Sequence, residues 1–298
     1  MVSPTATQAP VGLIGIGLIG SALAERLRAA GCRVIGYDIA PARREALTRL
    51  GGETASDAAA VFRSSARVIL SLPTHVEVEA VLASAGDSLR AGHVVIDTTT
   101  GDPDATADLA ARLAARGIFY LDATVSGSSS QLREGSAVLM VGGDAATFAS
   151  CRDLLTPLAP EVFHCGGPGS GARMKLVTNV VLGLNRAALA EGLALAQGLG
   201  LDARQALSVM QRGPAYSRIM DRKGDRMLTG NFAPEARLSQ HLKDVRLILD
   251  QGEAAGLPMP LSHAHRAILE EAEGAGLGAL DNSAIFRVLA ARQRVDAS

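Results

Sequence analysis

Tryptophan is absent from this 298-residue chain, and aromatic residues make up only 3% of it. A surface that stacks bases needs aromatic faces, so the composition argues against a platform for single-stranded nucleic acid. The formal net charge is −1 at pH 7, which offers no electrostatic attraction to phosphate backbones or anionic lipid. Cysteine is scarce: Cys32, Cys151 and Cys165 show neither a CxxC pair nor zinc-ligand spacing. They are expected to be reduced thiols packed as small hydrophobes. The six histidines are scattered, and His263 and His265 fall on different helix faces, so no metal site is indicated. Arg186 and Glu191 interrupt the longest apolar helical stretch, which rules it out as a membrane span. Residues 1–9 are polar and proline-bearing, lack the apolar core of a signal peptide, and read as a disordered tail. A cytoplasmic protein with neither a nucleic-acid nor a membrane partner is expected.

The chain is long enough for two domains with well-filled cores. Val11-Gly12-Leu13-Ile14 is a short apolar run that reads as a buried strand. It leads into Gly15-Ile16-Gly17-Leu18-Ile19-Gly20, and the residues after Gly20 have helical spacing. A G-x-G-x-x-G between strand and helix is the dinucleotide fingerprint in its required context. Gly15 allows the tight turn, Gly17 lets backbone approach a pyrophosphate, and Gly20 lets helix and strand pack closely. The helix N-terminus then faces the phosphates. The next strand, Arg33 to Tyr37, ends at Asp38, close to the offset of about 20 residues expected for a ribose-binding acid. A carboxylate there accepts from both ribose hydroxyls and repels a 2′-phosphate, which favours NAD. Arg43 and Arg44 follow and keep NADP open. The bland alternative is that Asp38 merely caps a loop before Pro41.

Further strands are expected at Arg67–Leu72, His93–Asp97, Phe119–Ala123 and Ala137–Val141, with alanine-rich helices filling most of the gaps. This alternation predicts an α/β doubly wound, mostly parallel sheet. Beyond Gly171 no strand pattern remains, and Ala, Leu, Glu and Arg dominate. The expected division is a dinucleotide-binding domain over residues 1–167 and an all-helical domain over residues 168–298. The boundary falls in the glycine-rich run before Gly171, and a long helix runs from there to about Gly198.

One turn into that helix sits Lys175, with Asn179 at i+4 on the same face. A cation near a helix start opposes the macrodipole, so the dipole does not account for it. Desolvation by apolar neighbours would lower its pKa toward neutrality, which suits a proton donor and acceptor. A snorkelling surface lysine is the competing reading. Ligands of doubly wound sheets bind beyond the strand C-termini. There the chain places Leu72-Pro73-Thr74, Asp97 to Pro103, and the hydroxyl-rich Asp122 to Ser130. A Ser-Gly turn offers a hydroxyl and exposed N–H groups to a carboxylate. Each segment is also readable as an ordinary polar turn.

Taken in order, four segments resemble the 3-hydroxyacid dehydrogenase family. They are Gly12 to Gly20, Asp122-Ala123-Thr124-Val125-Ser126-Gly127 with the later Met140-Val141-Gly142-Gly143, Gly169-x-Gly171-x-x-x-Lys175-x-x-x-Asn179, and His241-Leu242-Lys243-Asp244. The resemblance runs from Val11 to about Leu289. It implies a Rossmann domain, a long interdomain helix and a helical C-terminal domain, usually assembled as a homodimer or homotetramer. It also implies reversible hydride transfer between NAD(P) and a small 3-hydroxy acid or its semialdehyde. Lys175 looks like the catalytic acid/base, with Ser126, Gly127, Ser128 and Asn179 at the substrate. Gly15, Ile16, Gly17, Leu18, Ile19, Gly20, Asp38, Leu72, Pro73, Thr99 and Lys243 look like the cofactor site, and Asp244 supports it. The chain departs from the family pattern at Thr124, where Pro is frequent, at Ser128, where a second Gly is frequent, and at Thr178, where Asn is usual. These departures bear on substrate identity more than on reaction type. Arg173 and Tyr216 read either as cleft residues or as structural ones. An imine-reductase-like enzyme and a nucleotide-bound interaction protein are the alternative functions, and the presence of Lys175 argues against both.

Overall fold

Short β-branched and leucine-rich runs form strands because they bury apolar side chains on both sides of a sheet. The computed structural model describes residues 9–291. Residues 1–8, most of the expected tail, lie outside the described residues. The chain forms two compact units that divide between Lys175 and Leu176. That division falls inside the long helix Ser170–Gly198 rather than at its start.

The first unit is built on eight strands: β1 (Val11–Ile14), β2 (Val34–Tyr37), β3 (Glu53–Thr54), β4 (Arg67–Leu70), β5 (Val94–Asp97), β6 (Phe119–Ser126), β7 (Val138–Gly143) and β8 (Glu161–Gly166). Their order is β3-β2-β1-β4-β5-β6-β7-β8. Every pairing is parallel except β6 with β7. The order reverses between β1 and β4, which is the topological switch point where such sheets bind ligands. One core packs Leu13, Leu23, Leu27, Leu121 and Leu139 on one face. A second packs Phe62, Val68, Leu70, Val78 and Leu113 on the other.

β8 is not among the expected strands, and two other differences have physical causes. β3 is a two-residue, exposed edge strand, too short and polar to leave a hydrophobic signature. β6 runs on to Ser126 instead of stopping at Ala123, because Thr124, Val125 and Ser126 pair with Met140, Leu139 and Val138.

The second unit is helical. It holds the long helix from Leu176 onward and the helices Ala203–Arg212, Arg218–Thr229, Leu238–Ala254, Pro260–Gly274 and Ile285–Ala291. Its core includes Leu189, Leu193, Leu242, Leu269 and Ile285. Among its described residues the only β pairing is an isolated bridge, Arg237 with Asp281. Asp281 is fully buried and ties several segments together. Its carboxylate accepts from Lys223 Nζ at 2.9 and 3.0 Å, from the Glu235 and Ala236 amides at 3.1 and 3.3 Å, and from Ser283 Oγ at 2.7 Å.

Burial alone would raise the Asp281 pKa. The Lys223 ammonium and the Ser283 hydrogen bonds overcome it, and the pKa falls from 3.8 to about 2. An acid with a depressed pKa stabilises the fold above its unfolded value and loses that contribution as pH falls through the folded value. Asp281→Asn is therefore expected to cost about 3 kcal/mol at neutral pH, the scale of breaking a buried ion pair. The gap to the parent should close between about pH 4 and pH 2. Denaturant titrations at neutral and acid pH check this, and equal stability of the two proteins at neutral pH contradicts it.

Candidate active site

The glycine-rich turn leaves β1 at the switch point. Gly15 has φ +91°, and a side chain there would collide with the Ser71 carbonyl. A Cβ on Gly20 would strike the Gly15 carbonyl. Gly17 is open by contrast: its nearest neighbour is Arg43 Nη1, 3.4 Å from where a Cβ would stand. The helix Leu18–Ala29 starts at Gly17 without a side-chain cap, so its first-turn N–H groups remain for an anion. Ile16 N donates to Asp38 Oδ2 at 2.7 Å, and Ala40 N donates to Oδ1 at 2.9 Å. Arg43 Nη1 lies 3.4 Å from Asp38 Oδ2. Arg44 is turned elsewhere: it donates to the Asp38 carbonyl at 2.6 Å and stands 5.7 Å from the Tyr37 ring centroid. An uncapped helix start, an open glycine and a carboxylate at the end of β2 fit a dinucleotide.

The neighbouring loops are fixed to each other. Leu72 N donates to Thr99 Oγ1 at 3.1 Å, which joins the loop after β4 to the loop after β5. Thr99 N in turn donates to Asp97 Oδ1 at 2.9 Å, and Tyr120 OH donates to Asp97 Oδ2 at 2.6 Å. Leu72, Pro73 and Thr99 thus share one edge of the sheet. The Asp97–Tyr120 pair that holds them left no trace in the residue pattern, since Tyr120 reads there as one more strand residue.

Lys175 is buried, at 8% exposure, which removes the reading as a snorkelling surface lysine. Its Nζ donates to the Val125 carbonyl at 2.7 Å, one residue before Ser126. Gly127 follows with φ +146°. Ser128 caps the short helix Ser129–Arg133: Gln131 N donates to Ser128 Oγ, and Ser128 N donates to Gln131 Oε1. Part of the hydroxyl-rich loop therefore closes on itself.

In the second unit, Asn179 Nδ2 donates to Asp244 Oδ2 at 3.0 Å, and Lys243 Nζ lies 3.1 Å from Asp244 Oδ1. Asp244 thereby holds two of the expected site residues. Arg186 interrupts the apolar run in the sequence, yet it is 2% exposed. It donates to His241 Nε2 at 3.2 Å, and the His241 and His265 ring centroids are 5.2 Å apart. Burial pushes the Arg186 pKa down to about 10, with Asp281 and Asp244 opposing. Burial, with the Arg186 charge, takes His265 to about 4. A charged residue inside an apolar helical stretch was the available signal for this cluster. Arg173 and Tyr216 are exposed, and they bond to Asp104 and Asp221, each at 2.6 Å.

A family model described as the NAD binding domain of 6-phosphogluconate dehydrogenase matches residues 10–167. One described as NAD-binding of NADP-dependent 3-hydroxyisobutyrate dehydrogenase matches residues 169–289. The chain is 30% identical to 2-(hydroxymethyl)glutarate dehydrogenase of Eubacterium barkeri, over 93% of this chain and 94% of that one. It is 30% identical to 2-hydroxy-3-oxopropionate reductase of Escherichia coli K12, over 94% of this chain and 96% of that one. Among solved structures it resembles a 3-hydroxyisobutyrate dehydrogenase from Salmonella typhimurium, with a TM-score of 0.87 and 25% identity, over 93% of this chain and 99% of that one.

Burial raises the Asp97 pKa from 3.8 to about 6, against the hydrogen bonds from Thr99 and Tyr120 and with a further push from Asp122. A raised acid stabilises fully below its unfolded pKa, and that contribution is lost as pH rises through the folded one. Across about pH 4 to 6 the parent should lose about 3 kcal/mol that Asp97→Asn does not, because a tenfold change in proton affinity is worth about 1.4 kcal/mol. Unfolding free energies of both proteins across this window check it. A constant difference between them contradicts it.

Proposed function

This chain belongs to the 3-hydroxyacid dehydrogenase family of NAD(P)-dependent oxidoreductases, and from that premise we propose that Lys175 is its general acid and base. The substrate in this reading is a small 3-hydroxy acid or the matching semialdehyde. One observation carries it: a buried amine nitrogen, Lys175 Nζ, held 2.7 Å from the Val125 carbonyl, beside the Ser126-Gly127 turn. In oxidation Lys175 acts as the neutral amine: Nζ takes the proton of the substrate hydroxyl and becomes the ammonium. In reduction it returns that proton to the forming alkoxide. Ser126 Oγ and the backbone around Gly127 and Ser128 receive the substrate carboxylate, which fixes the reacting carbon. Asn179 orients the hydroxyl, with its amide set by Asp244. The bound nicotinamide supplies the redox chemistry by taking or giving the hydride.

The cofactor rests on Gly15 to Gly20, Leu72, Pro73 and Thr99 in this reading, and the family resemblance adds Lys243. NAD is the preferred form in this reading, because the Asp38 carboxylate repels a 2′-phosphate and partly neutralises Arg43. Val177 and Val181 are more than half exposed, at 61% and 58%. Apolar side chains on one side of a long helix favour burial by a second copy, as a homodimer or homotetramer. Among the described residues no helix is long and apolar enough to cross a membrane. Action in the cytoplasm belongs to the same proposal.

Lys175→Ala is expected to lower turnover at least about a hundredfold, the lower end for acid/base catalysis, while reduced-cofactor binding persists. Steady-state kinetics with cofactor titration tests this, and near-parent turnover removes Lys175 from the role. Asp38→Ala should weaken discrimination for NAD over NADP. Unchanged discrimination, measured as the ratio of kcat/KM for the two cofactors, would assign the preference to Arg43 or another group.

A further inference from the structure

The first turn of the long helix is fastened to β6 at three levels. At the base, the Asp122 carboxylate accepts from Gly169 N at 2.9 Å and from Ala172 N at 2.8 Å, so a strand residue caps the helix. In the middle, Thr124 Oγ1 donates to the Gly171 carbonyl at 2.9 Å. At the top, Lys175 Nζ donates to the Val125 carbonyl. Backbones touch here. A Cβ on Gly171 would lie 2.6 Å from the Met140 carbonyl oxygen, and a Cβ on Gly142 would lie 2.7 Å from Gly171 N. Asp122 and Thr124 are both buried.

We propose that Asp122 and Thr124 are positioning residues that set the height and rotation of the long helix on β6 and so deliver Lys175 Nζ to the Ser126-Gly127 turn. The inference rests on the acid/base reading of Lys175. The geometry gives each residue a distinct task. Asp122 satisfies N–H groups that the helix cannot satisfy internally, and its negative charge offsets the conflict between a cation and the positive end of the dipole. Burial raises the Asp122 pKa, while the Ala172 and Gly169 amides pull it down. Thr124 resists rotation by fixing one carbonyl of the first turn. The Val125 carbonyl favours the protonated amine, so loosening the junction should make Lys175 more acidic. Arg173, on the same turn, is engaged with Asp104 at the surface and takes no part.

The test compares Thr124→Val, Thr124→Ser and Asp122→Asn in the full-length enzyme, with Lys175→Ala alongside. The readouts are kcat, cofactor KM, the pH profile of kcat and Tm. Thr124→Val replaces the hydroxyl by a methyl group and keeps the side-chain shape, so it guards against a fold lost in Asp122→Asn. Its kcat should fall about tenfold, within the range for reactive groups slightly misplaced. The Lys175 limb of its pH profile should fall about one pH unit lower, the effect of weakening a charged hydrogen bond. Cofactor KM should not change, and Thr124→Ser should restore both values. Asp122→Asn should move the limb in the same direction. If Thr124→Val keeps the parent kcat and limb, or loses only Tm, the positioning role is overturned. If Lys175→Ala retains turnover, the acid/base reading fails instead, and that failure is separately visible.

Discussion

The buried carboxylate of Asp122 is the constraint on which the site depends. It stands on an inner strand and caps a helix by accepting from Gly169 N, 47 residues later and one residue before the helix begins. A capped helix start is stable on its own account, by about 1 kcal/mol for a typical N-cap. Here the cap also decides where the helix sits, because the donors come from the helix and the acceptor from the sheet. With Thr124 and Lys175 bonding the same two elements, the first turn of the helix belongs to the first unit. That is why the compact units divide after Lys175 and not in the glycine-rich run before it. A lysine in the first turn is a poor choice by the helix dipole alone. With a carboxylate at the helix start and a carbonyl at its tip, the ammonium has a defined place.

The cofactor side follows a different logic, in which close backbone approach matters more than charge. The glycine turn leaves no room for side chains against Ser71 and Gly15, and it leaves the Gly17 edge bare. Asp38 then does two things at once. It accepts from Ile16 N inside the fingerprint, which stiffens the turn, and in the proposed function it is the acid that faces the adenosine ribose. A chain of hydrogen bonds from Tyr120 through Asp97 to Thr99 and Leu72 joins the loops after β4 and β5 to each other.

Much of this was legible in residue order. The fingerprint, the strand ending at Asp38, the long helix to Gly198 and the loss of strands after Gly171 all leave periodic or glycine-marked patterns, and among the described residues the structure contains each. What was not legible is tertiary. The extension of β6 through Ser126 comes from its antiparallel partner, and no local pattern encodes a partner. The Asp281 hub joins side chains as far apart as 58 residues. Arg186 looked like an interruption of an apolar face, and its burial depends on His241, which lies 55 residues on. Asp122 and Thr124 were visible as members of a loop segment, but their bonds to the long helix were not.

Hydride transfer to or from a small 3-hydroxy acid is the activity assigned to this chain. The most direct measurement is reduced-nicotinamide formation by the purified protein across a panel of small 3-hydroxy acids, with NAD and with NADP. Saturable turnover on at least one of them, faster with NAD, is expected. Protein that binds the reduced cofactor yet turns over none of the panel would contradict it.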